Sequence, residues 1–351
     1  MPTDISTIKL REKNKLLNFK ERKENLPIIN SFPLVAKIEV TNRCNLSCIM
    51  CRDQNDSRKL KNLDVNIFHK LEPVFPYLLS AYLYGVGEVL TYPHASELFH
   101  SLLKYEINVG FITNGVLITE ALARDWVENG LYKLSVSIDG AHKETYEKIR
   151  RGASFEKVLN NISQVRDLKK KLGVDRPIIT FNFVSMKDTL PELPEYIKLA
   201  KEYGADEVIV NDLIVFFDEM KDQAVPYSDP LCYENFEEAR KKANEVGLKL
   251  ALPAPYSFSR RKTEEKQTIV NKDSQCIMNP CTEPWSGFWL TADGIVTPCC
   301  YWDIPMGDLK KASFLEIWNN EKYQHLRETV NTDKRSLHCR HCAISGMIQR
   351  K

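Results

Sequence analysis

The stretch Lys37-Ile38-Glu39-Val40-Thr41-Asn42-Arg43-Cys44-Asn45-Leu46-Ser47-Cys48-Ile49-Met50-Cys51 holds three cysteines in fifteen residues. The apolar run from Val35 to Val40 reads as a buried strand. The thiols follow it at a C-x3-C-x2-C spacing, close enough for one loop to wrap a single metal centre. A cubane 4Fe-4S cluster takes four ligands, so a loop that supplies three thiolates leaves one iron open to another molecule. Ten cysteines in 351 residues, with no apolar signal segment in the first residues, is far below the density of a disulfide framework. A structural zinc site calls for four closing ligands, commonly as two separated C-x2-C pairs, and this triplet has no nearby fourth.

Composition bounds the rest. With 43% apolar and 27% charged residues the chain buries a large core, and it divides by pattern into one large and one smaller domain. A net charge of +2 argues against a dedicated nucleic-acid partner. No run of eighteen or more apolar residues is present, so no membrane helix is expected, and the free thiols suit a reducing cytoplasm. Residues 1–33 are polar and lysine-rich, with Lys9, Arg11, Lys13, Lys15, Lys20, Arg22 and Lys23 ahead of Pro27 and Pro33. They read as a basic N-terminal extension presenting a solvated face.

From Leu34 onward strand and helix alternate. Strands are predicted at 35–40, 81–85, 107–112, 132–138, 178–184 and 206–210. Helices fall between them: Ile67 to Leu78 with a second piece starting at Pro73, a helix centred on Leu98, Leu102 and Leu103, a Thr119-capped helix carrying Leu122 and Trp126, a Ser154-capped helix, and one opened by Pro191. Six βα units with right-handed crossovers give an α/β fold, a partial (β/α)6 TIM-like barrel spanning 34–212. Its functional groups belong at the C-terminal ends of the strands. Residues 213–275 form a connecting helix and strand, in which Cys232 reads as an ordinary buried thiol. A small C-terminal cysteine-rich domain follows at 276–351.

These features resemble the radical S-adenosylmethionine (SAM) superfamily, in which a C-x3-C-x-aromatic-C loop binds the cluster that cleaves SAM. The resemblance implies that Cys44, Cys48 and Cys51 hold a 4Fe-4S cluster. Met50 stands where an aromatic residue usually lies near the adenine, and its thioether fills the same apolar gap. Gly85-Val86-Gly87-Glu88 resembles the family's Gly-Gly-Glu motif, with Val86 in place of a glycine. Gly85 and Gly87 would let the backbone approach the methionine amino group of SAM, and Glu88 would pair with it. The strand-end tips Asn114, Ser137 and Asp139 would face the SAM ribose or the substrate. Of Arg150 and Arg151, the resemblance places Arg151 on the SAM carboxylate.

A second set comprises Cys281, Cys299, Cys339 and Cys342, spread around an Asp293-Gly294 turn. It resembles the SPASM auxiliary-cluster module, in the shortened twitch form known from the dehydrogenase of butirosin biosynthesis, and would bind one auxiliary 4Fe-4S cluster. The rival reading of the same four thiolates is a closed zinc site. Together the two sets imply an oxidoreductase that reductively cleaves SAM to a 5′-deoxyadenosyl radical, with one electron from a flavodoxin or ferredoxin. The radical would abstract hydrogen from a small polyhydroxylated substrate such as an aminocyclitol, sugar or nucleoside, as in natural-product or carbohydrate biosynthesis. The auxiliary cluster would accept the second electron, giving a net oxidation. Cys300, beside Cys299, is the alternative hydrogen donor of a redox-neutral epimerase. Thirty-three residues before the first strand are too few for a separate peptide-recognition domain, which favours a small substrate over the other alternative, peptide maturation.

Overall fold

The structure is a computed structural model of the chain and describes residues 5–51, 60–253, 280–299, 305–340 and 342. The elements run α1 (Ile5–Lys23), β1 (Val35–Ile38), α2 (Val65–His69), β2 (Ser80–Leu83), α3 (Ala95–Leu103), β3 (Asn108–Thr113), α4 (Glu120–Glu128), β4 (Lys133–Ser137), α5 (Lys143–Ile149), α6 (Phe155–Leu172), β5 (Ile178–Ser185), α7 (Leu193–Glu202) and β6 (Glu207–Asp212). The predicted boundary signals act as expected. Thr119 Oγ1 accepts from the Leu122 N–H at 3.3 Å and Ser154 Oγ from the Lys157 N–H at 3.5 Å; Gly173, not among those signals, ends α6 at φ 65°. Beyond β6 come α8 (Pro230–Val246), which buries Cys232 as expected, and a seventh parallel strand, β7 (Lys249–Ala251). Strands β1 to β6 with their helices are the βα units of the partial (β/α)6 barrel.

The chain divides into two compact units that cut across the boundaries drawn from the sequence. One takes its residues from 1–43, 60–109 and 267–351, the other from 44–59 and 110–266. The first includes the C-terminal cysteine segment, whose elements are α9 (Glu283–Ser286), β8 (Gly287–Leu290), β9 (Ile295–Thr297), β10 (Gly307–Asp308), α10 (Phe314–Trp318), α11 (Glu321–Thr329) and α12 (Leu337–Arg340). Here β8 pairs in parallel with β1, Val35 opposite Gly287 and Ile38 opposite Leu290, and the strand order is β10-β9-β8-β1-β2. The Asp293-Gly294 turn joins β8 to β9 as an antiparallel hairpin, with Gly294 at φ 83°. In the second unit β3 to β7 are all parallel in sequence order, over a core that includes Phe111 edge-on to Trp126 and Phe183 against Tyr196.

The N-terminal segment departs from expectation. Residues 5–33 are a packed part of the first unit, not a solvated extension. The inward face of α1 is polar. Asn18 donates to Ser31 Oγ (3.0 Å) and the Trp285 carbonyl (2.6 Å), Asn14 brackets Phe32, and Glu21 accepts the N–H groups of Asn30 and Ser31 at 2.7 and 3.0 Å. Arg11 donates to the carbonyls of Pro76, Tyr105 and Glu106. The helix therefore docks by satisfying backbone groups that burial would otherwise leave unpaired, and this leaves no apolar period in the sequence to betray it.

Arg327 closes the same layer. Its side chain is buried, donates to the carbonyls of Pro27, Pro284 and Trp318 and to Asn319 Oδ1 at 2.8–3.0 Å, and lies over the rings of Trp318 and Tyr323 at 4.8 and 5.1 Å. Burial lowers its pKa to about 10, offset by the charge fields of Tyr323 and Glu21. Arg327→Met keeps much of the volume but strands three buried carbonyls. We expect it to cost about 3 kcal/mol or more, read as a lower urea midpoint at unchanged m-value.

Candidate active site

In the second unit the cysteine loop lies along residues 149–151. The Ser47 N–H donates to the Arg151 carbonyl at 3.0 Å and the Ile49 N–H to the Ile149 carbonyl at 2.9 Å; within the loop the Cys51 N–H reaches the Cys48 carbonyl at 3.1 Å. These bonds grade the exposure of the three thiols: Cys44 exposed, Cys51 intermediate, Cys48 buried. Two sulfurs receive donors. The Leu46 N–H lies 3.5 Å from Cys44 Sγ and Asn114 Nδ2 4.0 Å from it, while an Arg150 guanidinium nitrogen lies 3.9 Å from Cys48 Sγ. Burial pushes the Cys48 thiol up to about 11, with Arg150 pulling the other way. Without metal this thiol is neutral at pH 7, so taking up iron must release its proton. Donors aimed at sulfur and a buried cation beside it are what thiolate ligands of a cluster require, so this loop fits the group the sequence implies.

Each tip residue has a definite place. Asn114 is buried and structural: its Nδ2 also donates to Asn45 Oδ1 at 2.8 Å, and its Oδ1 accepts from the Val116 N–H at 3.0 Å. Asp139 is wholly buried. One oxygen takes the Arg150 guanidinium, Nε at 2.7 Å and a terminal nitrogen at 2.6 Å, and the other takes the Val184 N–H at 2.7 Å. Burial works against the charge of Arg150, but Asp139, Cys48 and Tyr146 more than offset it, and the pKa of Arg150 sits above its ordinary value. Asp139 thus faces Arg150, not the open end of β4. Ser137 is half-buried at that end, opposite Asn182 of β5.

Between the two arginines, the inward one is Arg150, and Arg151 is exposed. The signal was present in the sequence: Tyr146, Ile149 and Arg150 fall at i, i+3 and i+4, on one face of α5, and Arg151 falls off it. Met50 packs with Ile49 against an apolar cluster of Ile149, Met186, Leu213 and Met220, consistent with an apolar filler.

The Gly-Val-Gly-Glu strip lies in the first unit, where a residue not singled out from the sequence fastens it. Glu39 is buried; its two carboxylate oxygens accept the Val86 N–H at 3.0 Å and the Ala292 N–H at 3.1 Å. A Cβ on Gly85 would stand 2.2 Å from Glu39 Cγ, and one on Gly87 would stand 2.4 Å from the Arg43 carbonyl oxygen. Both positions therefore exclude any side chain. Glu88 is buried at the start of a short 3-10 turn, its N–H donating to the Arg43 carbonyl at 2.7 Å and its Oε1 accepting from the Leu90 N–H at 3.1 Å. A carboxylate between Ile38 and Val40, just past the end of β1, was the available sign of Glu39.

The same unit carries the second cysteine set. Cys281 is pushed up to about 12 by burial, with the charge fields of Glu283, Cys339 and Cys342 adding to the shift. Cys339 is raised by burial and by Cys342, against a Ser336 hydroxyl hydrogen bond. Cys299 acts in the same way on the buried Tyr323. Three of the four thiols are thus within one another's electrostatic reach. Asn331 secures the backbone of Cys281, accepting its N–H at 2.7 Å and donating to its carbonyl at 3.0 Å. Among the described residues no three His, Cys, Asp or Glu side chains converge as the shell of a single ion. Cys276, Cys300 and His341 lie outside the described residues, and His338 is exposed.

Comparison with known proteins agrees with this geometry. Residues 38–183 match the Radical SAM superfamily, and residues 281–343 match SPASM, an iron-sulfur cluster-binding domain. The chain is 27% identical to an AdoMet-dependent heme synthase of Methanosarcina barkeri over 84% of this chain and 85% of the relative. It is 26% identical to a probable GTP 3′,8-cyclase of Methanocaldococcus jannaschii over 80% and 90% of the respective chains. Streptococcus suis SuiB, solved with its precursor peptide SuiA, shares the fold at a TM-score of 0.69 and 14% identity, over 96% of this chain and 75% of that one. SAM and a 4Fe-4S cluster are the cofactors of the first domain, and iron-sulfur clusters those of the second. No helix among the described residues is long and apolar enough to cross a membrane. The chain is a radical SAM enzyme with a C-terminal SPASM domain.

Proposed function

We propose that this enzyme oxidises a small, non-peptide substrate, a polyhydroxylated molecule such as a nucleoside, sugar or aminocyclitol, in a reducing cytoplasmic compartment. The observation that supports the radical chemistry is the Asp139–Arg150–Cys48 contact, which sets a buried cation against a loop thiol of the three-cysteine set. When bound, the cluster and SAM supply one-electron cleavage of the sulfonium. The chain's own part is to hold and orient. Cys44, Cys48 and Cys51 are the ligands, Arg150 balances thiolate charge, and Glu88 with the side-chain-free backbone at Gly85 and Gly87 receives the amino group of SAM. Arg151 or Ser137 contacts its polar remainder. Support for a small substrate comes from the relatives matched over most of their length, named for heme synthesis and GTP cyclisation. Peptide maturation is the second reading, favoured by the likeness in fold to SuiB, which was solved with a precursor peptide.

Anaerobic reconstitution should load about eight iron and eight sulfide, as two cubanes require, and dithionite should then drive 5′-deoxyadenosine formation from SAM. Replacing Cys44, Cys48 and Cys51 together by alanine should remove half the iron and all of that product, leaving the signal of the second cluster in place. Retained 5′-deoxyadenosine would refute the ligand assignment.

Glu88→Gln should weaken SAM by about 1.5–3 kcal/mol, the scale of one charge-assisted hydrogen bond, with iron content unchanged. Gly87→Ala should weaken it as well, by forcing the strip away from the Arg43 carbonyl. Calorimetry against SAM decides both, and an unaltered affinity in Glu88→Gln would remove that carboxylate from the site.

Turnover with the true substrate in deuterium oxide separates oxidation from epimerisation. We expect a product two mass units below the substrate with no solvent deuterium. Deuterium in the product, lost in Cys300→Ala while 5′-deoxyadenosine persists, would establish the epimerase.

A further inference from the structure

The inward face of α1 is polar, and its outward face is the reverse of what solvent favours. Leu16 is 71% exposed, Phe19 55% and Ile8 43%. Around them stand Lys9, Lys13, Lys15, Lys20 and Lys23, all exposed, with Glu12 among them. At 3.6 residues per turn these positions fall within an arc of roughly 160°, one continuous side of the helix. A net charge of only +2 for the whole chain makes this concentration of lysine local. Apolar side chains ringed by like charges mark a protein-docking surface that steers an oppositely charged partner.

The inward contacts anchor this helix in the first unit. Two residues past the end of α1, Asn25 Oδ1 accepts from Asn331 Nδ2 at 3.4 Å, and the same Asn331 amide holds both backbone polar groups of Cys281. Asn18 of α1 donates to the Trp285 carbonyl, four residues beyond Cys281. The helix is thus fixed from its buried side, and its lysine-bearing side stays exposed. The arginines of α1 are otherwise engaged, Arg11 on carbonyls and Arg22 over the Phe19 ring at 5.4 Å. The outward charge is consequently carried by lysine, a point charge suited to carboxylates at a transient interface, and not by the planar fork that phosphate recognition favours.

We propose that the outward face of α1 docks an acidic electron carrier, a flavodoxin. The carrier supplies the one electron that sulfonium cleavage consumes, and docking itself makes and breaks no bond. The inference rests on the chain being a radical SAM enzyme and is independent of which substrate is oxidised.

The test measures binding of oxidised flavodoxin to the reconstituted holoenzyme by calorimetry, at low and at high salt. Lys13→Glu with Lys20→Glu should weaken the complex at least about tenfold at low salt and remove most of its salt dependence. Leu16→Ser with Phe19→Ser should weaken it at both salts. In each double variant, flavodoxin-driven 5′-deoxyadenosine formation should fall while the dithionite-driven rate stays at the wild-type value. Three results would overturn the proposal: unchanged flavodoxin affinity, an equal loss in the control Lys170→Glu with Lys171→Glu at the far end of α6, or a parallel fall in the dithionite-driven rate. Binding to phosphatidylglycerol vesicles that the Lys13/Lys20 variant loses, with flavodoxin affinity intact, would also overturn it and assign the face to a membrane surface. Because affinity is read without turnover, absence of SAM cleavage in the wild type would count against the proposed function alone.

Discussion

A carboxylate with no exposure to solvent and a guanidinium buried beside it are expensive to remove from water, by several kcal/mol each, unless every lone pair and proton finds a partner. Asp139 and Arg150 meet that condition. The pair, the Val184 N–H and the Cys48 sulfur account for both carboxylate oxygens and a third guanidinium nitrogen. Because neither charge can be moved without stranding the other, the end of α5 is held at a set distance from β4 and β5. The cysteine loop, bonded along residues 149–151, inherits that position. The site is therefore built on strand ends and a helix terminus, and the loop is a passenger on them.

The first unit uses the same logic with different groups. Glu39 binds two backbone N–H groups from segments far apart in sequence, one after β2 and one after β8, and so makes the Gly-Val-Gly-Glu strip and the cysteine-rich segment answer to one carboxylate. Arg327 does for the layer around α1 what Asp139 does for the cluster loop. Among the described residues it has no ion-pair partner, and it is retained as a cation by carbonyl dipoles and two aromatic faces. Such polar interiors rigidify when satisfied and are costly when broken.

Reading the sequence succeeded where a physical period or a turn signal was written into consecutive residues. The strand and helix alternation, the caps at Thr119 and Ser154 and the Asp293-Gly294 turn belong to this class. It failed where a side chain's role depended on what lay opposite. Asp139 reads as an exposed tip because Asp-Gly is a turn signal, yet it is sealed by an arginine eleven positions later. Arg151 and Arg150 are indistinguishable by composition; the spacing from Tyr146 and Ile149 pointed to Arg150, and the buried Asp139 it meets decides its role. The helix α1 was misread for the converse reason: its buried side is polar, so the hydrophobic period that reveals a docked helix is missing.

What the sequence by itself determined is the chemistry: three thiols on one loop, four more near the C-terminus, and βα units that put polar tips at strand ends. These are local facts, since ligand spacing and helical or strand period are properties of short segments. Only the tertiary structure decided that β8 adds to β1, that the N-terminal helix and the cysteine-rich segment belong to one unit, and which buried charges serve the site. Those outcomes rest on hydrogen bonds between residues up to 306 positions apart. Whether a lone carboxylate or guanidinium is a surface charge or a buried fastener depends on the partner it meets, and a linear pattern carries no record of that meeting.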